Sequence, residues 1–424
     1  DKGYRLSAKS TALEYAGEHI GGALWQYFEG QGDAERALAA MKDASRYTRG
    51  HLSRDAVRAL YGGAVTLSAS RMDMARSCHF AYFMRYGLKA RERTGAGFDA
   101  PQIGTFVHDV MEHTLRQAKE CGGLHTLSKD KLHALVRASI EEYIDRVLPD
   151  LCEKSARFRY LFNRLCATVE RIMDEVSEEL QSSDFEPLAF ELEFGADGQL
   201  PAITIREENG TARVVGKVDR VDGWLHDGKL YLRVVDYKTG KKSFDLAELR
   251  YGLGLQMLLY LFTLKEEGQM LFGGHEIVPA GVLYTPAREP MLRCARDTEP
   301  ETIEKALKKE LRRSGMVLED PAVLQAMEHS ALESPCYLPI AVKRDGAVTG
   351  SLASAEQLGK LSKYVDHILH EITQEVFAGN IDADPYARTP QQSACTYCEF
   401  ASACHFENGC GSDRMEYILS LIHI

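Results

Sequence analysis

The sequence predicts an α/β fold, and three observations carry the prediction. Between residues 129 and 182, apolar side chains recur at three- and four-residue steps, the period of a helix. From Leu188 the period changes to two through LAFELEFG, ITIREE, VVGKVDRVDGW and KLYLRVVDYK, the alternation of half-buried strands. Past Lys238 both periods return, with a helix over 246–266, a strand over 277–286 and helical runs near 300–315 and 353–378. The β-rich stretch reads as a meander, so the sheet is expected to begin mostly antiparallel.

Each element has its own signature. Residues 1–60 carry helical spacing in LEYAGEHIGGALWQYF and AERALAAMKDASRY, with no chemistry attached. Ser68 opens, as an N-cap, the unit SASRMDMARSCHFAYFMRYGL, whose apolar positions include Met72, Phe80, Phe83 and Met84. A glycine-rich break over 94–104 precedes a helix from Thr105. In the long helical stretch, Leu132, Leu135, Val136, Ile140, Tyr143, Ile144 and Val147 mark one helix. Pro149 separates it from a second, marked by Phe158, Phe162, Leu165, Val169, Ile172, Met173 and Val176. The sequence shows no internal repeat and no low-complexity segment.

At 424 residues the chain has room for two or three domains of ~100–200 residues each. Its 45% hydrophobic and 27% charged residues exclude a disordered tail, a collagen-like rod and a small disulfide scaffold. No run reaches the ~18 apolar residues of a membrane span, and DKGYRLSAKS lacks the apolar core of a signal peptide. A soluble, cytoplasmic protein without membrane contact is expected. The net charge of −11 argues weakly against a chain that lives by wrapping nucleic acid. Phosphate contacts need only one local patch, however. KARER (89–93), KTGKK (238–242) and KKELRR (308–313) are such patches, or simply solvated surface. The chain begins at Asp1 rather than Met, which suggests the C-terminal part of something longer. The aperiodic LSLIHI (419–424) is expected to be read-through of a library adapter rather than part of the fold.

The most informative segment runs from Val215 to Lys238. Asp227-Gly228 between alternating apolar runs is a strong hairpin signal, because a type I′ turn needs positive φ at both central residues. With those two as the loop, His226 pairs with Lys229 and Asp219 falls across from Asp236. Opposed residues bring their Cβ atoms to ~4.5–5.5 Å, where like charges are destabilising. A divalent cation between them would offset that cost. Asp236 and Lys238 are two apart and leave the same strand face.

Two carboxylates and an ammonium on one face suit metal-assisted hydrolysis. The carboxylates hold Mg²⁺ or Mn²⁺, which lowers the pKa of bound water, and the lysine orients that water or stabilises the transition state. The plain alternative is an exposed polar face with an incidental D-x-K. His108, in GTFVH at the start of a helix with Glu112 one turn on, supplies an imidazole that fits the same metal. Gln256 and Tyr260 form an i,i+4 pair on the helix after the hairpin, otherwise a polar edge on an apolar helix.

Four of the 10 cysteines crowd into CTYCEFASACHFENGC (395–410). Without a secretion signal, that spacing reads as metal binding before disulfide. A local zinc site would use Cys395, Cys398, Cys404 and Cys410. An iron–sulfur cluster would take three of these and a distant thiolate, for which Cys78 is the natural candidate. Cys121, Cys152, Cys166, Cys294 and Cys336 read as core or surface thiols. No phosphate loop is present, since Val218 and Lys242 stand where Ser or Thr must directly follow the Gly-Lys pairs 216–217 and 240–241. GLGLQM (252–257) lacks the third glycine of a dinucleotide fingerprint and falls within the helix expected over 246–266.

The ordered set SxSRxxxxxxCxFxYFxxYGL, GTxxH, GKVDRVD, VDYKTG, QxxxY and CxxCxxxxxC resembles the RecB-like branch of the PD-(D/E)XK nucleases. One cysteine before the nuclease motifs and three after resemble the iron–sulfur nuclease domain of the AddB family. Members of that family are the B chains of bacterial ATP-dependent helicase–deoxyribonucleases. The resemblance covers about Leu60 to Cys404. It implies a restriction-endonuclease-like core, a mixed sheet flanked by helices, with a helical insertion and a terminal iron–sulfur staple. A nuclease domain would span 61–410, after a helicase-like tail over 1–60 and before a tail over 411–424.

Roles follow from the same resemblance. His108, Asp219 and Asp236 would hold Mg²⁺ or Mn²⁺, Lys238 would be the catalytic lysine, and Gln256 and Tyr260 would lie near the DNA strand. Cys78, Cys395, Cys398 and Cys404 would bind a structural 4Fe-4S cluster, leaving Cys410 out. The implied activity is exonucleolytic cleavage of single strands unwound from double-strand DNA ends during recombinational repair. The implied partner is the helicase–nuclease AddA, joined as a heterodimer.

The chain departs from the family at His79, where proline usually follows the first cluster cysteine, and at Met72-Asp73-Met74, where an acidic–aromatic pair is usual. A further acidic residue often assists such sites, and Glu191 and Glu193 share one strand face without a basis for choosing. Two other classes compete with the nuclease, a zinc-stabilised structural module and a non-catalytic DNA-end-binding subunit. The presence of His108, Asp219, Asp236 and Lys238 together argues against a decayed site.

Overall fold

The computed structural model describes residues 2–45, 48–91, 100–195, 198–295, 297–389 and 391–418. LSLIHI and most of the glycine-rich break lie outside the described residues. The strands, in chain order, begin with β1 (Ala64–Leu67), β2 (Glu186–Phe194), β3 (Ile203–Glu207), β4 (Gly210–Val214), β5 (Gly216–His226) and β6 (Lys229–Lys238). They continue with β7 (Glu276–Pro286), β8 (Ser314–Leu318), β9 (Ile340–Val342), β10 (Val348–Gly350) and β11 (Leu352–Ala353).

The central sheet has the order β11-β8-β7-β6-β5-β2. β2, β5 and β6 are antiparallel neighbours as expected, and β7 then runs parallel to β6. Asp227 (φ 49°) and Gly228 (φ 76°) form the tight turn. The ladder follows the predicted register from His226 with Lys229 to Arg220 with Val235, so Asp219 and Asp236 stand at the next position, where the strands open.

Helices cover both faces. Arg233 and Asp236 are three apart on β6 and point to opposite sides. Arg233 meets Glu179 of the helix Ala156–Gln181, and Asp236 meets Gln256 of the helix Gln256–Glu267. The helices Ala100–Glu120 and Lys129–Val147 complete the first layer's core, which runs from Val57 to Phe377 as one cluster. The helices Lys9–Glu18, Ala23–Phe28 and Asp33–Ser45 instead bury Ala12, Ala16, Trp25, Phe28, Ala34 and Leu38 in a small core of their own.

Three expectations need correction. The meander is split, because β3 and β4 leave the central sheet and join β1, which pairs in parallel with β4. A four-residue strand carries too little alternation to be legible in sequence. The helix expected over 246–266 is broken. Leu246–Arg250 ends before Gly252 (φ 78°) and Gly254 (φ 67°), whose left-handed backbone leads into a second helix only at Gln256. GLGLQM therefore spans this break rather than lying inside a helix. β8 and the helix Pro321–Met327 are additions within a region read only as helical at its start. Among the described residues, no helix is long and apolar enough to cross a membrane.

Candidate active site

The opened end of the β5–β6 hairpin collects the predicted residues. Tyr237, between Asp236 and Lys238, is its hub. Its backbone N–H donates to Asp219 Oδ2 at 2.8 Å, and its carbonyl accepts from His108 Nε2 at 2.9 Å. A carbonyl can only accept, so the imidazole carries a proton on Nε2 and presents Nδ1 to Asp219 Oδ2, 3.3 Å away. The Tyr237 hydroxyl is held from the other face by the fully buried Arg220, at 2.7 Å. Arg220 belongs to a buried chain of ion pairs that runs through Asp222, Arg233 and Glu179 to Arg313.

His108, Glu191 and Asp219 each offer a ligand atom within 4.8 Å of the others. The structure thus distinguishes the two glutamates that the sequence could not. Glu191 is 13% exposed and faces this group, whereas Glu193 is 55% exposed on the rim. Glu191 has φ 50°, an uncommon left-handed conformation for glutamate, while its neighbours Phe190 and Leu192 keep an unshifted register with β5. Lys217 Nζ lies 2.6 Å from its carboxylate. Glu112 pairs with Arg116 at 2.8 Å and stands outside the group.

Asp236 is buried beside the group rather than within it. Its Oδ2 lies 2.6 Å from Lys238 Nζ, and its Oδ1 accepts from Gln256 Nε2 at 3.5 Å. Burial and then the Asp219 charge push its carboxyl up to about 6, against the opposing pull of Lys238 and His108. Burial alone would lower the His108 imidazole, but Asp219 and Asp236 outweigh it and raise it to about 9. One imidazole and two clustered carboxylates, next to a third that is costly to ionise, form a donor set suited to a hard divalent cation. Gln256 also donates to the Tyr260 hydroxyl at 3.2 Å. Gly216 permits this approach, since a Cβ there would stand 2.5 Å from Tyr260 Cε1. Asp73, the weak motif position, accepts from the Gly254 N–H at 2.9 Å and anchors the loop before Gln256.

The cysteines fall into two sets. Cys78, Cys395, Cys398 and Cys404 line one cavity of about 650 Å³ with Phe80 and Phe400, and Cys410 does not line it. Among the described residues, no three of these thiols come within 4.8 Å of one another. Tetrahedral zinc with ~2.3 Å bonds to sulfur would hold them ~3.8 Å apart. The C-terminal strands β12 (Tyr386–Thr389), β13 (Gln392–Ser393) and β14 (Glu416–Tyr417) form a small sheet that holds this segment.

Long-range contacts pin the segment down. Arg49 donates to both Asp413 oxygens at 2.8 and 2.9 Å and to the Cys404 carbonyl at 2.8 Å, and Arg85 pairs with Glu399. His79 is occupied elsewhere. Its backbone N–H donates to Asp384 at 2.9 Å, and its ring lies between Asp384 and Glu375. A proline could make neither contact.

A D-x-K strand end opposite a second aspartate, on a mixed sheet covered by helices, is the arrangement of one nuclease class. The family described as PD-(D/E)XK nuclease superfamily matches residues 66–405, and the chain belongs to that superfamily. Among curated proteins it is similar to the B chain of the ATP-dependent helicase/deoxyribonuclease of Ruminiclostridium cellulolyticum, 32% identical over 91% of this chain and 34% of the relative. The proteins of the same name from Acetivibrio thermocellus (33% identical; 91% of this chain, 33% of the relative) and Caldanaerobacter subterraneus subsp. tengcongensis (33%; 83% and 30%) are similar too. The chain spans about a third of the length of these relatives.

Proposed function

We propose that this chain is a divalent-metal-dependent deoxyribonuclease module of a helicase–nuclease complex. It cuts single strands unwound from double-strand DNA ends in the cytoplasm, for recombinational repair, beside the helicase–nuclease partner AddA. The observation that carries the reading is the His108–Glu191–Asp219 group at the opened hairpin end, with Asp236 and Lys238 on the adjoining strand. His108, Asp219 and Asp236, joined by Glu191, are the residues that would hold Mg²⁺ or Mn²⁺. When bound, the cation lowers the pKa of water and stabilises charge on the phosphoryl group.

The protein's own groups do the rest. Tyr237 fixes Asp219 and the His108 tautomer through its backbone. Lys238 brings a cation to the face where the phosphate must sit, and Gln256 and Tyr260 border the strand's path. Cys78, Cys395, Cys398 and Cys404 would bind a 4Fe-4S cluster that staples the two ends of the module, a reading supported by their shared cavity.

The test is an assay on end-labelled single-stranded DNA with Mg²⁺ or EDTA, using anaerobically purified protein whose visible spectrum is recorded first. Cleavage should need Mg²⁺ and fall ~10²–10³-fold in Lys238→Ala. Folded, iron-loaded wild type that does not cut in Mg²⁺ or Mn²⁺ would overturn the catalytic reading.

A further inference from the structure

Two of the basic patches, KTGKK (238–242) and KKELRR (308–313), meet across one groove beside the metal-ligand group. We propose that this groove binds the phosphate backbone of the single strand on the Lys238 side of the scissile bond. The inference rests on the nuclease reading and extends it to residues outside the metal group.

The fold builds the groove from strand ends. β6 and β7 are parallel, so Lys238 and Pro286 end side by side, and the Ala287 N–H donates to the Lys238 carbonyl at 2.9 Å. Ligands of α/β sheets favour such carboxyl ends. The loop after β6 is pinned where the Phe244 N–H donates to Ser314 Oγ at 2.8 Å, at the start of β8. Lys241 and Lys242 thereby come to line one groove with Arg312, and Arg288, just past β7, joins them.

Charge and size select the ligand. The groove, about 370 Å³, is lined by Lys238, Lys241, Lys242, Arg288 and Arg312 against the single carboxylate of Glu310. Glu310 lies 3.4 Å from Arg288, and Arg312 donates to the Pro335 carbonyl. Lys241 and Lys242 are exposed, and Asp73, which feels the Lys242 charge, takes its hydrogen bond from Gly254 instead. Such a cluster in a chain of net charge −11 is a local anion trap. A cavity of this size accepts one strand, whereas a duplex offers a major groove ~12 Å wide on a still wider helix. The cleft beyond Gln256 and Tyr260 differs, since among the described residues its one lining cation, Lys217, is already paired with Glu191. Lys238 belongs to both the groove and the Asp236 pair, so a phosphate next to the scissile one passes directly between them.

The test is fluorescence anisotropy of a labelled single-stranded oligonucleotide with the 424-residue chain in EDTA, between 50 and 200 mM salt. The double variant Lys241→Gln/Lys242→Gln is compared with wild type and with Lys360→Gln, an exposed lysine on the helix Ala355–Ala378. At ~0.7 per phosphate contact for single strands, wild type should lose about sevenfold more affinity than the double variant over that salt range. Lys360→Gln should follow wild type, and equal thermal melts should show all three folded. An unchanged salt slope in the double variant, or an equal drop in Lys360→Gln, overturns the groove while leaving the nuclease reading intact. Wild type that neither binds single strands nor cleaves them with Mg²⁺ overturns both.

Discussion

The hairpin site takes Asp219, Asp236 and Lys238 from one antiparallel pair of strands, whereas the cysteine cavity joins Cys78 to Cys395, Cys398 and Cys404 from opposite ends of the chain. The first rests on a sheet underlain by the buried ion pairs of Arg220, Asp222, Arg233, Glu179 and Arg313. The second is closed by loops, a three-stranded sheet of short strands and the Arg49–Asp413 pair. The contrast teaches where each kind of damage should appear. Changing a hairpin carboxylate removes chemistry from an intact scaffold. On the proposed reading, changing a cavity cysteine would remove a tie that closes the scaffold.

The largest effect is expected at Asp236. Asp236→Asn should abolish cleavage while single-strand binding and the melting temperature persist, because the neutral side chain relieves a buried charge held next to Asp219. Loss of binding and cleavage together would mean misfolding and would dissolve the contrast. Next comes the cysteine tie. Cys78→Ser should lose iron and acid-labile sulfide and destabilise the whole domain, whereas Cys410→Ser should keep both. Colourless, zinc-containing protein that tolerates Cys78→Ser but not Cys410→Ser would restore the local zinc site.

A smaller effect should come from beneath the hairpin. Burial alone would raise Glu179, but Arg313, Arg233 and Arg220 outweigh it and hold its carboxyl down at about 2 against the usual 4.5. A carboxyl lowered by folding stabilises the protein above its unfolded pKa, and that contribution fades as pH falls through the folded value. The resistance of wild type to urea should therefore weaken from about pH 4.5 toward about pH 2. Glu179→Gln, which leaves buried guanidinium groups unpaired, should cost ~3–5 kcal/mol at neutral pH and flatten that acid slope. An equally steep slope in the variant would place the acid sensitivity elsewhere, for example in the C-terminal staple.

How much could be read from sequence depended on the range of the interaction. The Asp227-Gly228 turn and strand alternation give the register that brings Asp219 to Asp236, because turn type and a period of two are local properties. The ordered motifs gave the family for the same reason. Ser68 was legible as an N-cap position, although its side chain makes no capping bond and instead lies 3.1 Å from Ser70 Oγ. The choice of Glu191 over Glu193 was not legible, since both alternate identically and only the folded chain buries Glu191, with its left-handed backbone, beside His108 and Asp219. Nor was Tyr237 visible as a hub, because its two decisive contacts are made by main-chain atoms that every residue carries.

The sequence by itself determined the α/β class and the hairpin and pointed to His108, Asp219, Asp236 and Lys238, while its resemblance to a family implied that Cys410 stands apart from the other cysteines. The tertiary structure decided the rest. It split the meander to give β4 a parallel partner, broke the helix before Gln256, and brought KTGKK and KKELRR to one groove. Periodicity and turns are written in neighbouring residues, whereas a site is completed by groups that meet only when distant strand ends are packed side by side.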